Sequence, residues 1–254
     1  MPFAGDIHYL GSYKRGMSRD VLLLIHGAGG SCLHWPPNIR RLGKEGILAV
    51  DLPGHGKSTG GAKDSISENA SFIIEFMDRM GIDQALLGGH SMGSAITQWI
   101  CLENPKRVKG LILVGAGAKL RVHPQLIEDC SSEETFPRAV AQIIEWSFSE
   151  QSDSTLVRLA GERLYQVSPD VLLADFQACS NFDLRDEVKN IKQPSLIICG
   201  EDDRMTPVRF SQYLAEEIKG SRLEIIPQAG HMVMLEQADL VSGFIAEFLD
   251  SIGD

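Results

Sequence analysis

The sequence predicts an α/β fold in which a mostly parallel central sheet is flanked by helices and carries a helical cap inserted between two of its strands. Three observations predict it. Short aliphatic runs bounded by Gly, Pro or Asp recur along the 254 residues, stretches of helical period lie between them, and the interval from Gly115 to Pro194 shows helical period without any such run. Runs that are continuously aliphatic, not alternating, suit parallel strands because helices cover both faces of the sheet.

In chain order the strand candidates are Val21 to Ile25, Ile47 to Val50, Ala85 to Leu87, Leu111 to Val114, Leu196 to Cys199 and Leu223 to Ile226. Between the second and third, Ile66, Ala70, Ile73, Met77 and Met80 repeat at helical spacing, and Ser65 with Glu68 three residues on forms the pattern of a capping box. A helical stretch rich in small residues, with Ser94 and Ala95, follows the third strand. In the long interval, Ala139, Val140, Ile143, Ile144 and Phe148 share one helical period and Leu156, Leu159, Ala160, Leu164 and Val167 another. The span is too long for a plain loop, so residues 118–187 are expected to form a helical cap, while 1–117 and 188–254 form the core of a single domain. Insertions at strand C-termini border the ligand crevice of such sheets, which makes a lid the expected role. Thr206 and Pro207 suit the N-cap and first position of a helix running to about Ile218. In the last helix, Leu240, Phe244, Phe248 and Ile252 fall on one face.

Composition narrows the class of function. With 43% hydrophobic and 23% charged residues the chain is an ordinary folded protein, not a disordered or fibrous one. Its 24 Lys and Arg against 34 Asp and Glu give a net charge of −10, which opposes attraction to phosphate backbones and anionic lipid, so no nucleic-acid partner is expected. No aliphatic run approaches the roughly 20 residues of a membrane span. Met1 to Gly16, with charges at Asp6, Lys14 and Arg15, lacks the apolar core of a signal peptide, so a cytoplasmic location is expected. The five cysteines, Cys32, Cys101, Cys130, Cys179 and Cys199, are odd in number and lack CxxC spacing, which fits reduced structural thiols.

The strongest chemical signal is Gly89-His90-Ser91-Met92-Gly93, placed after a strand and before a helix. Such an elbow needs small residues on either side of the serine, and it presents the hydroxyl at a helix N-terminus, where developing negative charge is favoured. A serine at its ordinary pKa is a poor nucleophile, so a base and a third group that fixes the base's tautomer are required. Of seven histidines, His231 is best placed, because it follows Ala229-Gly230 after the last strand, at the sheet edge where Ser91 also lies. His26, His55 and His90 sit in Gly-rich turns, where imidazole more often bonds backbone, and His8, His34 and His123 lack supporting context. For the acid, Glu201, Asp202 and Asp203 all follow the strand that ends at Cys199.

Other motifs fail. Gly56-Lys57-Ser58 resembles the end of a P-loop, but the glycine needed five residues earlier is Asp51. Gly27-Ala28-Gly29 would open a dinucleotide fingerprint, yet the third glycine position holds Cys32. The histidines are too scattered for zinc spacing. No cofactor and no metal is therefore expected.

These blocks together resemble the α/β-hydrolase superfamily over nearly the whole chain, especially its small cofactor-free esterases, enol-lactonases, perhydrolases and carbon–carbon bond hydrolases. The matching segments are His26-Gly27-Ala28-Gly29-Gly30, Asp51-Leu52-Pro53-Gly54-His55-Gly56-Lys57-Ser58, the elbow at Ser91, the Gly200 to Pro207 turn, and Gly230-His231. They are specific for fold and poorly specific for substrate. The resemblance implies a nucleophile–acid–base order of Ser91, Asp203 and His231, with Asp202 a solvated turn residue. It also implies an oxyanion hole from the N–H groups of Met92 and Ala28, with Gly29 as an alternative to Ala28. Serine at the elbow separates the chain from relatives that use Asp there. The expected activity is carboxylesterase cleavage of a small carboxylic ester by an acyl-enzyme route, with Leu33, His34, Trp35, Trp146 and Phe148 lining an acyl pocket. A lactone or enol-lactone, a carbon–carbon bond with Arg204 or Arg121 holding a carboxylate, acyl transfer to peroxide, and a ligand receptor without turnover are the alternatives.

Overall fold

All six aliphatic runs form strands, and four of them extend beyond the run into flanking Ser, Gly, His, Arg or Val-Lys-Gly residues. The computed structural model describes residues 2–14, 20–42 and 46–252. Met1, Arg15 and Gly16 of the segment considered as a signal peptide, and the ends of the expected core at 1 and 253–254, lie outside the described residues. The elements run β1 (Phe3–Ala4), β2 (Ile7–Gly11), β3 (Val21–Ile25), α1 (Pro37–Arg40), β4 (Ile47–Val50), α2 (Ile66–Met80), β5 (Ala85–His90), α3 (Met92–Glu103), β6 (Val108–Val114), α4 (Pro124–Asp129), α5 (Phe136–Ser147), α6 (Ser154–Leu164), α7 (Pro169–Ser180), β7 (Ser195–Gly200), α8 (Val208–Glu217), β8 (Arg222–Ile226), α9 (Val233–Glu236) and α10 (Ala238–Ile252).

The sheet order is β1-β2-β4-β3-β5-β6-β7-β8. From β4 to β8 every pairing is parallel, while β1 and β2 add an antiparallel margin beside β4. The chain steps outward from β3 to β4 and then returns to lay β5 on the other side of β3. Loops leaving β3 and β5 therefore part company at their C-terminal ends and open the crevice where such sheets bind ligands. Both the His26–Gly30 loop and the Ser91 elbow sit there.

The pleat sorts each aliphatic run onto two faces. Leu23 and Ile25 join Ile73, Phe76 and Met77 of α2 and Ile96 and Ile100 of α3, whereas Leu22 and Leu24 join Trp35, Ile39, Val241, Ile245 and Phe248 on the other side. The helix α2 begins as its sequence requires: the Ser65 hydroxyl accepts from the Glu68 N–H at 3.2 Å, and the chain leaves the helix through Gly81 at φ 67°.

Three expectations need correction. The β1–β2 hairpin was not foreseen; its strands are short and lie at a sheet margin, outside the fully covered region that produces aliphatic runs. Helix α8 starts at Val208 with Pro207 as its N-cap, one residue later than predicted, because the Thr206 side chain is bonded to Asp203 instead of the helix. In α10 the buried face is Val241, Ile245 and Phe248, with Ile252 partly buried, and Leu240 is 49% exposed.

Between β6 and β7 the four helices α4–α7 form their own apolar cluster, in which Phe136, Val140 and Ile143 meet Leu164, Leu172 and Phe176, and Ala28 of the core packs against it. An antiparallel bridge between Lys119 and Asp183 joins the start and end of this insertion. Among the described residues no helix is long and apolar enough to cross a membrane. All five cysteines are buried and free, and burial pushes the thiols of Cys101 and Cys130 up to about 12 and that of Cys199 to about 11.

Candidate active site

Ser91 joins the last residue of β5 to the first of α3 with φ 52° and ψ −116°, a backbone conformation that side-chain-bearing residues rarely adopt. Holding it costs on the order of 1–3 kcal/mol, so the surroundings must enforce it. They do so by close approach. A Cβ on Gly89 would lie 2.2 Å from the Gly93 carbonyl oxygen, and one on Gly93 would lie 2.3 Å from that of Ile25. The Ser91 N–H donates to the Val114 carbonyl at 2.9 Å, which anchors the turn to β6. As first residue of α3, Met92 has an N–H with no intrahelical acceptor.

The loops after β7 and β8 bring Asp203 and His231 together. The Nδ1 of His231 lies 2.9 Å from Asp203 Oδ2, and both side chains are buried. Every lone-pair direction of the carboxylate is used: Oδ1 accepts from the N–H groups of Met205 at 2.9 Å and Thr206 at 2.7 Å, and Oδ2 also accepts from the Thr206 hydroxyl at 2.8 Å. Such a network leaves the buried carboxylate no freedom to turn away from His231. The neighbouring Asp202 is exposed and accepts from the Ser149 hydroxyl. With Nδ1 committed to Asp203, His231 keeps Nε2 for other chemistry. Ser91 and His231 border the same cavity without a direct hydrogen bond, a looseness common before substrate binds.

Supporting groups around His231 were invisible to motif reading. His90 Nε2–H donates to the His231 carbonyl at 3.0 Å, the two rings lie 4.7 Å apart, and burial, followed by the neighbouring His231 ring, keeps the His90 pKa well below the ordinary value. The Glu236 carboxylate accepts from the N–H groups of Gly230 and Ser149 and from the Ser152 hydroxyl, tying the His231 loop to the insertion. An acid six residues after an Ala-Gly turn is the only trace Glu236 leaves in the sequence. His26 has one tautomer: Nδ1–H donates to the Gly27 carbonyl at 2.8 Å while Nε2 accepts from the Leu52 N–H at 3.0 Å.

The loop after β3 lies against the elbow, since a Cβ on Gly27 would come within 3.0 Å of Ser91 Cβ. The Gly29 N–H is already given to Asp175 Oδ2 at 2.7 Å, whereas the Ala28 N–H donates to nothing among the described residues, and Ala28 borders the cavity.

That cavity measures about 230 Å³ and is walled by Ser91, His231, Ala28 and His34 from the core and by Ile143, Phe148, Leu156 and Leu164 from the insertion side. Of the five residues expected to line it, His34 and Phe148 do so. Leu33, Trp35 and Trp146 do not. Leu33 and Trp35 flank His34 at a tight helical turn, so only His34 faces inward; Leu33 is 46% exposed and Trp35 is buried beneath the sheet. Trp146 sits about 100° around α5 from Ser147 and stacks edge-on against His123. Arg204 pairs with Glu145, and Arg121 belongs to a separate surface pocket with Lys119, Arg185 and Arg209. The cation at the cavity is Arg163 of α6, which has no ion-pair partner among the described residues; burial and then this guanidinium hold His34 down at about 4.

One group of metal-ligating residue types converges elsewhere: His8, Cys32 and Asp51 place their ligand atoms within 4.8 Å of one another, all buried. The Asp51 carboxylate there accepts from His8 Nδ1 at 2.7 Å and from the N–H groups of Cys32 and Lys57, so it ties β2 to the loops that follow β3 and β4.

The model of the alpha/beta hydrolase family matches residues 22–243. The chain is 26% identical over 262 aligned positions to a 2-hydroxy-6-oxo-6-phenylhexa-2,4-dienoate hydrolase of Comamonas testosteroni, covering 95% of this chain and 91% of the relative. Among solved structures it is similar to a thermophilic esterase at 30% identity, with a TM-score of 0.83 and coverage of 97% and 99%. It shares its fold with the enol-lactonase of Burkholderia xenovorans LB400, at 21% identity, a TM-score of 0.89 and 96% of each chain. The eight-stranded sheet, the elbow at its switch point and these likenesses agree: the chain belongs to the alpha/beta hydrolase family and is a hydrolase.

Proposed function

We propose that this hydrolase is a serine esterase that cleaves small carboxylic esters through an acyl-enzyme. The single observation that carries the reading is that a strained, cavity-facing Ser91 shares its cavity with an imidazole whose far nitrogen is bonded to a buried, fully hydrogen-bonded carboxylate. Ser91 Oγ attacks the ester carbonyl as His231 Nε2 takes its proton. Asp203 holds the Nδ1–H tautomer and stabilises the imidazolium. The Met92 and Ala28 N–H groups receive the oxyanion, and His231 returns the proton to the leaving alkoxide. Water then repeats the sequence on the acyl-enzyme. The helices within 118–187 serve as a cap that keeps the cavity apolar, which strengthens these electrostatic contacts.

A cavity of about 230 Å³ lies below the roughly 300–1,000 Å³ of drug-sized ligand sites, which favours short acyl groups. Arg163 supports a second reading, an ester or lactone that carries a carboxylate at the end remote from the scissile bond. The test is a panel of p-nitrophenyl esters from two to about twelve carbons, with lactones alongside and Ser91→Ala as the blank. Activity should peak at the short end and drop by about 10⁴ or more in Ser91→Ala; equal turnover in that variant, or no labelling of the native protein by a fluorophosphonate, would end the proposal. Arg163→Gln should raise KM for a carboxylate-bearing ester and leave that of a neutral ester unchanged.

A further inference from the structure

The buried ionisable groups that the hydrolytic steps leave unused converge on one point between the cap and the loop after β3. Asp175 of α7 and His55 of the turn after β4 are both about 1% exposed and meet at 2.8 Å, Asp175 Oδ2 to His55 Nε2. The same oxygen accepts the Gly29 N–H at 2.7 Å. On its other side the imidazole donates from Nδ1 to the Pro53 carbonyl at 2.9 Å. Both ring nitrogens therefore face acceptors, which is the hydrogen-bond pattern of an imidazolium. Burial opposes that charge, but the Asp175 carboxylate and its hydrogen bond outweigh it and hold the His55 pKa above its ordinary value.

Stability alone gives a weak reason for this arrangement. Buried ion pairs often contribute little beyond an apolar replacement, and here Asp175 Oδ1 is buried with no partner at all. What the pair does achieve is positional. Gly29 directly follows Ala28, has a left-handed φ of 61°, and a Cβ there would lie 2.8 Å from Leu164 and 3.0 Å from Leu172 of the cap helices. The Gly29 N–H is thereby turned toward α7, while the preceding amide, at Ala28, has no acceptor among the described residues and belongs to a residue that borders the cavity with Ser91.

We propose that Asp175 is a positioning residue: from the cap it grips the Gly29 N–H and the His55 side chain with one carboxylate oxygen, and so holds the Ala28 amide where the oxyanion forms. Docking of α7 and completion of the oxyanion hole are then one event, and catalysis depends on a cap residue that never touches substrate. The inference rests on the serine-esterase reading. The charged and titratable groups facing His55 are Asp175 from α7, Asp51 from the turn after β4, and the neutral His26 and His34 from the loop after β3, with His26 ring-to-ring at 4.8 Å.

Asp175→Asn keeps the shape and removes the charge. An amide oxygen at the Oδ2 position still accepts from Gly29, but it no longer holds a protonated His55. Asp175→Ala removes both bonds. With p-nitrophenyl acetate, both variants should lower kcat by about 10- to 100-fold, as expected for an oxyanion donor moved by a fraction of an ångström to an ångström, while KM stays within about threefold. Asp175→Glu should not rescue, because its longer arm cannot place one oxygen on both partners. The wild-type kcat should fall at alkaline pH as His55 loses its proton, and Asp175→Asn should lack that limb. Thermal unfolding of each variant confirms that the comparison is made between folded proteins, with Asp175→Asn retained if Asp175→Ala fails to fold. Wild-type kcat in Asp175→Asn, or a loss confined to KM, overturns the inference while an inactive Ser91→Ala leaves the esterase reading standing; full activity in Ser91→Ala overturns both.

Discussion

Asp202 and Asp203 are adjacent carboxylates with opposite fates: one faces solvent, and the other is buried with four donors around it. Sequence order narrowed the acid to this turn, and only the family resemblance chose between them, because a turn's local pattern does not reveal which side chain points inward. Thr206 was read as a helix cap for the same reason; Ser, Thr and Asp bond nearby backbone and side chains interchangeably. The difference between the two acids is measurable. In Asp203→Asn the amide oxygen can keep the Met205 and Thr206 N–H bonds, which turns its NH₂ toward His231 Nδ1 and forces the wrong imidazole tautomer. A fall in kcat of about 10⁴ is expected, against less than about threefold for Asp202→Asn. Comparable losses in both, read as kcat/KM on a short ester, would remove Asp203 from its assigned place.

At the level of elements, legibility followed burial. Five of the parallel strands, β3 to β7, are legible because both faces are covered and each is a nearly solid aliphatic run, whereas the edge strand β8 carries Glu224 within its run and leaves Ile225 exposed. The β1–β2 hairpin left only a Gly5-Asp6 pair between its strands, a two-residue turn signal that is easily passed over. Helix α7 was missed although Ser168-Pro169 marks its start, because a buried Asp175 interrupts an otherwise ordinary apolar face of Leu172, Phe176 and Cys179. That interruption is the position from which the insertion reaches the loop after β3, through the Asp175 bonds to the Gly29 N–H and His55. Two substitutions separate elbow geometry from general helix stability. Gly89→Ala sets a Cβ against backbone that cannot move without opening the elbow, so it should abolish activity and cost several kcal/mol of stability. Ser65→Ala removes one N-cap at the far end of α2 and should cost only about 1 kcal/mol with kcat unchanged. Urea unfolding and ester turnover on both proteins would show the contrast; an active Gly89→Ala enzyme would contradict the close-packed elbow.

For the whole molecule, the buried histidines make stability depend on pH from two sides. His26, His34 and His90 are held neutral chiefly by burial, with the neighbouring His55, Arg163 and His231 side chains as the next largest cause in each. Unfolding lets each return to about 6.5, so as pH falls below that value the unfolded chain takes up protons that the native one refuses. Each such group costs about 2 kcal/mol between pH 7 and pH 5. His55 has the opposite sign: its native pKa is raised, so its stabilisation is complete below the unfolded value and disappears as pH climbs through the native one. Between pH 7 and 5 it offsets no more than about one of the other three. The acid side should therefore be the steeper, with a stability maximum close to neutrality and a urea midpoint clearly lower at pH 5 than at pH 7. In Asp175→Asn the alkaline decline should flatten, since His55 then has no carboxylate to hold its proton, while the acid decline should persist because its three histidines keep their apolar surroundings. Equal midpoints at pH 5 and 7 in the wild-type protein would mean that these imidazoles are not buried neutral in the native state.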